Sequence, residues 1–160
     1  MKDLNELFLH TLKDIYYAEK QILRALPRMA RSAASPELKK ALEHHKEETQ
    51  GQVERLEQVF ESLDKRARGV PCEAIQGIIE EAKSVMDEAD DPAVRDAGIV
   101  AAAQAVEHYE IARYGTLCEW AAQLGHTDIK ALLGQTLQEE KNADATLTKL
   151  ATTKVNKKAA

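Results

Sequence analysis

The sequence predicts an all-α protein in which four long helices form a bundle and one short helix lies in the crossover connection. Three observations carry this prediction. Ala, Leu, Glu and Lys dominate while aromatic residues are only 4%, a mix that favours helix over strand. Apolar residues recur at steps of three and four along extended segments, the period of one helix face. Proline, glycine and capping residues cut the chain into five such segments.

The first segment opens on Asp3 and Glu6 at capping-box spacing and runs to about Ser32. Its stripe is Leu4, Phe8, Leu12, Ile15, Glu19, Ile22, Leu26 and Met29, and Pro27 is expected to kink the last turns. Ser35-Pro36 places an N-cap before a proline at the first helical position, so a second helix starts there. Its stripe is Leu38, Ala41, His45, Glu48, Gln52, Leu56, Val59 and Leu63, and Arg66–Pro71 breaks it. A shorter amphipathic stretch runs from Ile75 to Ala89. Asp91-Pro92 caps the fourth segment, striped by Ile99, Ala103, Glu107, Glu110, Tyr114, Leu117 and Ala121. Gly125 ends it, and Thr127 is expected to cap the fifth: Ile129, Leu133, Thr136, Glu140, Ala143, Leu147 and Leu150. Periodicity stops at Thr152, and the lysine-bearing tail reads as a solvated, frayed end. The bundle domain is therefore assigned to residues 1–151, with 152–160 as a basic, disordered tail.

A chain of 160 residues fits one domain. A net charge of −5 argues against nucleic acid as the main partner. The opening Met1-Lys2-Asp3-Leu4-Asn5-Glu6 has no apolar signal core, and the longest apolar run, Ala97–Ala103 with its Gly98, is too short for a membrane span. A cytoplasmic protein is expected, with no membrane partner. Cys72 and Cys118 are too few for a disulfide framework or a zinc ligand set. Cys72 follows Pro71 and is expected near the surface; Cys118, on an apolar stripe, reads as a small core residue.

Every long segment carries acid where an apolar residue belongs: Glu19, Glu48, Glu107 with Glu110, and Glu140. A core-facing carboxylate is costly unless something neutralises it, and several together repel one another. Glu19 and Glu48 are 29 residues apart, Glu110 and Glu140 are 30 apart, and each pair straddles a turn near its midpoint. Folding back antiparallel brings each pair to one height. Local sequence repeats the pattern: Tyr16-Tyr17-Ala18-Glu19 matches Glu107-His108-Tyr109-Glu110, and Lys46-Glu47-Glu48-Thr49 matches Gln138-Glu139-Glu140-Lys141. Two similar hairpins imply a pseudo-two-fold bundle, with the 27-residue connection Lys65–Asp91 running back along its outside. Acids converging from four helices predict a cation site. Taken singly, an inward glutamate is more often an ion-pair partner or a snorkelling surface residue. Arg55 and Arg113, seven and three residues after Glu48 and Glu110, offer such pairing.

Four segments carry a family resemblance over essentially the whole chain to about residue 150. They are Asp14-Ile15-Tyr16-Tyr17-Ala18-Glu19-Lys20-Gln21, Glu48-Thr49-Gln50-Gly51-Gln52-Val53-Glu54-Arg55-Leu56, Glu107-His108-Tyr109-Glu110-Ile111-Ala112-Arg113-Tyr114 and Glu139-Glu140-Lys141. They resemble the ferritin-like superfamily, and within it the YciE/YciF-type bacterial stress proteins. The resemblance implies a ferritin-like four-helix bundle, a homodimer and a di-iron or di-manganese centre. It implies no settled reaction.

One departure shapes the expected site. Ferritin-like centres place histidine three residues after glutamate on two helices. Here Gly51 follows Glu48 at that spacing and Ala143 follows Glu140, and neither can ligate. Same-face substitutes are His45 and Gln52 around Glu48, and Asp144 after Glu140. The candidate metal ligands are thus Glu19, Glu48, Glu107, Glu110, Glu140 and His45, an oxygen-rich set suited to two iron or manganese ions rather than zinc or copper. In this reading Glu48 and Glu140 bridge the ions, Glu19 and Glu110 are terminal, and Glu107 or His45 completes the set. His108 points elsewhere and is expected to be exposed or at an interface, and His10 and His126 near helix ends are expected at the surface. Two functions follow from different classes. One is a stress-response metalloprotein reacting with dioxygen or peroxide. The other is a metal-free helical scaffold for stress-response protein interactions.

Overall fold

The computed structural model describes residues 1–160 and contains helices and no strands. Helix α1 spans Leu4–Ser32, α2 Pro36–Ser62, α3 Glu73–Glu88, α4 Pro92–Gln123 and α5 Thr127–Leu150. A π-helical turn, Ala151–Val155, leads into α6, Asn156–Ala159.

Capping chemistry fixes most boundaries. The Asp3 carboxylate accepts from the Glu6 N–H at 2.8 Å, while Glu6 accepts from the Lys2 N–H rather than returning to Asp3. Ser35 accepts from the Leu38 N–H, and Asp91 from those of Ala93 and Val94. Helix α2 ends in a Schellman turn, with Lys65 N–H donating to the Phe60 carbonyl and Asp64 N–H to Glu61. Asp64 adopts φ 53°, the left-handed conformation that this turn requires. Gly125, at φ 78°, does the same for α4. Helix α5 differs from expectation: it starts at Thr127, His126 occupies the cap position, and no side chain caps it.

Side-chain pairs give the topology. Gln104–Asp144 and Cys118–Lys130 join α4 to α5 antiparallel. Contacts of Phe8 with His126 and of Ser35 with Asp96 set α4 antiparallel to α1. Arg55–Glu139 and Glu37–Lys154 set α5 antiparallel to α2. The diagonal helices α2 and α4 are therefore parallel, as the crossover through α3 requires. Helix α3 lies outside, against α1 and α4. The linker before it is pinned by the Val70 N–H donating to the Lys13 carbonyl.

Two expectations change. The tail that reads as frayed is helical: Val155 is buried, and Lys154 pairs with Glu37 at the start of α2. A π-turn lets the chain wind on without the regular stripe that periodicity needs. Cys72 is buried rather than near the surface, its thiol 3.0 Å from the Tyr109 hydroxyl. Cys118 is buried, as its stripe implies.

A prediction follows from two glycines. A Cβ at Gly69 would meet the Cβ of Tyr17 at 2.9 Å and its Cα at 3.2 Å, whereas one at Gly51 would meet nothing within 4 Å. Gly69→Ala is expected to cost roughly 1–3 kcal/mol by overpacking. Gly51→Ala, inside α2, should add about 1 kcal/mol through helix propensity. Urea unfolding of both variants checks the pair, and equal midpoints would contradict it.

Candidate metal centre

The apolar core is continuous along the bundle except at mid-height, where buried polar residues meet. Helix α1 contributes Glu19, α2 His45, Thr49 and Gln52, α4 Glu107 and Glu110, and α5 Thr136 and Glu140. Glu19, Glu110 and Glu140 are completely buried and Glu107 is 1% exposed. Each sits on its helix's apolar stripe, so the packing that builds the bundle also carries the acid inward.

One ligand atom each from His45, Glu107, Glu110 and Glu140 lie within 4.8 Å of one another. His45 Nε2 is 3.3 Å from Glu107 Oε1. Both oxygens of Glu110, both of Glu140 and both ring nitrogens of His45 lack hydrogen-bond partners, as do Glu19 Oε2 and Glu107 Oε2. So many unpartnered buried acceptors in one place demand an explanation. Glu19 has one partner, the hydroxyl of fully buried Tyr114, which donates to Oε1.

Electrostatics follow from burial. Desolvation, and then the neighbouring carboxylates, hold Glu19, Glu107 and Glu110 far above the ordinary carboxylate range. Burial likewise raises Glu140. The same burial depresses His45 to about 4, so its imidazole is neutral and free to offer a lone pair. No cation relieves the cluster. Arg55 forks onto Glu139 at 2.9 and 3.0 Å and also donates to Thr136 at 2.6 Å. Arg113 stands beside Asp14 and Tyr109. Neither guanidinium reaches the acids that its sequence position suggested.

The remaining candidates lie apart. Glu48, expected to bridge two ions, keeps a side chain 24% exposed and sits 3.4 Å from His44 Nε2 and 4.0 Å from His45 Nδ1. Residue 45, one turn earlier, takes the inward place on α2. Asp144 turns outward to His108 at 3.2 Å and Gln104 at 3.0 Å. Gln52 donates to Glu139 at 3.1 Å and leaves its own carbonyl oxygen unpartnered.

Sequence reading missed the role of Tyr114, although its place four residues after Glu110 put it on the same face. It also missed the Arg55–Glu139 pair, whose partners lie 84 residues apart and leave no local signal.

Two clefts end at the His45–Glu107 edge. One, of about 90 Å³, opens between α2 and α5 past His44, Glu48 and Asn142. The other, of about 120 Å³, opens between α1, α3 and α4 and is walled mainly by apolar side chains. A neutral imidazole, four desolvated carboxyl groups and two ways in from solvent can together hold a transition-metal ion.

Known proteins agree with the fold. YciF of Escherichia coli (strain K12) is 49% identical over 160 residues, covering 99% of this chain and 96% of YciF. The crystal structure of that stress protein superposes with a TM-score of 0.94, at 48% identity over 98% of this chain and 99% of the crystallised chain. YcfI from Rhodopseudomonas palustris gives a TM-score of 0.91 at 53% identity, covering 92% of this chain and 94% of YcfI. Residues 3–160 match the family described as a domain of unknown function, DUF892. The chain belongs to the DUF892 family and is a relative of the stress protein YciF.

Proposed function

We propose that the buried cluster is a resident site for two iron or manganese ions, in a stress-response protein that reacts with dioxygen or peroxide. What supports this reading is the convergence of His45, Glu107, Glu110 and Glu140 within 4.8 Å, with their buried acceptors unpartnered. With Glu19, four carboxylates stand ready to balance two divalent charges, and a neutral imidazole favours iron or manganese over magnesium. Held by His45, Glu107, Glu110 and Glu140 with Glu19 beside them, a reduced metal pair would supply the electrons for reduction of dioxygen or peroxide. The chain's own residues do the rest. Tyr114 orients Glu19, burial keeps water from the centre, and partly exposed Glu48 beside His44 offers a first carboxylate to an incoming cation.

The metal-free scaffold reading rests on a different observation. The carboxyl groups are held above their ordinary range and so can keep protons when no cation is present, which lets the bundle close without metal. Metal content separates the two readings. Protein purified without chelator should carry iron or manganese approaching about two ions per chain, and excess magnesium should not displace it. Absence of stoichiometric uptake in an anaerobic titration with iron(II) or manganese(II) would leave the scaffold.

The pH dependence of the metal-free protein gives a second test. Glu19, Glu107, Glu110 and Glu140 all have raised folded-state pKa values. The folded chain thus keeps protons that the unfolded chain has lost, and stability falls as pH rises above the unfolded carboxylate range. His45 has the opposite sign: its folded value is depressed, so it costs stability as pH falls from 6.5 towards about 4. Between pH 6.5 and 8 the folded His45 is neutral and the unfolded one loses only its remaining half-proton, so the raised acids outweigh it. Urea midpoints of metal-free protein should drop across that window, and bound manganese should flatten the slope by mass action. A flat metal-free profile would mean that these acids are already ionised in the fold.

Substitution gives a third. Glu110→Leu places an apolar side chain where both carboxyl oxygens lack partners. It is expected to abolish tight metal uptake while leaving the metal-free bundle as stable or more so, by up to ~1–4 kcal/mol. A large loss of stability in metal-free Glu110→Leu would count against a ligand role.

A further inference from the structure

The cleft between α1, α3 and α4 is chemically unlike the cluster it touches. Leu26 and Met29 of α1, Ile79 and Met86 of α3 and Val106 of α4 form its walls, and nine of its fourteen lining residues are hydrophobic. Its floor is the edge of His45 and Glu107. Its other charged residues are all cationic: Arg24, Arg28 and Lys83. That is notable in a chain of net charge −5. Arg28 is engaged by Asp87 at 2.6 Å and Lys83 by Glu80 at 3.1 Å, while Arg24 is exposed and joins neither pair.

We propose that this cleft binds a medium-chain aliphatic carboxylate, tail inward along the apolar walls and headgroup at Arg24. Size, walls and charge each support the assignment. A volume of about 120 Å³ takes roughly four methylene-sized groups at about 30 Å³ each, and the rest of a medium chain spans the open mouth to Arg24. That matches a single short alkyl chain and is too little for a protein segment. Met29 and Met86 are flexible, polarisable walls that can close around a linear chain. The guanidinium of Arg24 is a planar double donor at the rim, matched to a carboxylate. A bound tail would end against His45 and Glu107, shutting this mouth of the central site. The walls and the rim involve no metal, so this inference stands apart from the metal reading.

Methionine methyl resonances provide the test. The chain has three methionines; Met29 and Met86 line the cleft, while Met1 is 75% exposed and serves as an internal control. Full-length, chelator-treated protein carrying ¹³C-methyl methionine is titrated with sodium octanoate, far below micelle formation. Saturable shifts of the Met29 and Met86 methyls are expected, with Met1 unmoved. Arg24→Glu, at an exposed position that folding tolerates, should weaken octanoate binding by at least about tenfold and leave 1-octanol within about twofold. Ala82→Phe should block both ligands by filling the cleft, provided its circular dichroism matches the parent; otherwise the Arg24→Glu result decides alone. Three outcomes would each overturn the proposal: no saturable shift, octylammonium binding as tightly as octanoate, or Arg24→Glu leaving octanoate affinity unchanged. Because the protein is metal-free throughout, failure here says nothing against the metal centre, and failure of metal uptake says nothing against the cleft.

Discussion

Four carboxyl groups share the middle of this bundle with no cation beside them, and the surrounding architecture is arranged around that electrostatic load. Removing one carboxylate from water costs several kcal/mol, and each neighbour adds repulsion. The fold tolerates the load because apolar layers lie above and below it: Leu12, Ile15, Leu56 and Leu117 on one side, Leu26, Leu38, Leu42 and Ile99 on the other. Arg55 is diverted from the cluster. Bidentate pairing with Glu139 and a hydrogen bond to Thr136 satisfy its guanidinium one turn from the centre. Had Arg55 turned inward, the cluster would be a self-neutralised ion network. Instead its acceptors are left for protons or for metal.

The same constraint accounts for the helix lengths and the crossover. Acid pairs 29 and 30 residues apart meet only if each hairpin turns near their midpoint. The caps at Ser35 and at Gly125 place the turns there. Bringing the second hairpin alongside the first, with α4 antiparallel to α1, requires the chain to return along the outside. That is the path of α3. Asp96 fastens this arrangement, accepting from the backbone N–H groups of Ala34 and Ser35 at 2.8 and 2.7 Å, so the α1–α2 turn is held by the start of α4.

Much of this was legible beforehand, for reasons that also explain what was not. Helix stripes, caps at Ser35 and Asp91 and the stop at Gly125 are local signals, and they gave the elements. Matching acid spacings predicted that Glu19, Glu110 and Glu140 would be inward. Glu107 and His45, which the stripes also offered as candidates, join them in the cluster, and Glu48 sits at the rim. Periodicity alone cannot rank two residues one turn apart, such as His45 and Glu48, because both lie on one face and small rotations of α2 decide which points inward. Long-range choices were also hidden. Nothing near Arg55 in sequence announces Glu139, nothing near Cys72 announces Tyr109, and a π-turn at Ala151–Val155 masks the continuing helix by shifting its period.

The pseudo-symmetry of the two hairpins is broken in a way that sets which ligands meet the outside. Glu107 on α4 corresponds in the repeat to Tyr16 on α1, and Tyr16 turns to α2, donating to Glu57 at 2.9 Å with its ring edge-on to Phe60. The first hairpin therefore supplies one deep carboxylate and one imidazole, and the second supplies three carboxylates. Such a site is lopsided. On the side where α1 faces the deep end of α4, Tyr114 seals Glu19 beneath a fully buried ring, and neither of the two clefts is lined by Glu19, Glu110 or Glu140. Both clefts end instead on His45 and Glu107. Whatever enters this bundle meets an imidazole that burial keeps neutral and a carboxyl group that burial keeps reluctant to ionise, before it meets the acids behind them. A cation favours the ionised form of Glu107, so occupancy at that edge would lower the cost of ionising the next carboxylate inward. If the proposed ions bind, they would fill from the His45–Glu107 edge, a consequence of where the repeat fails, not of where it holds.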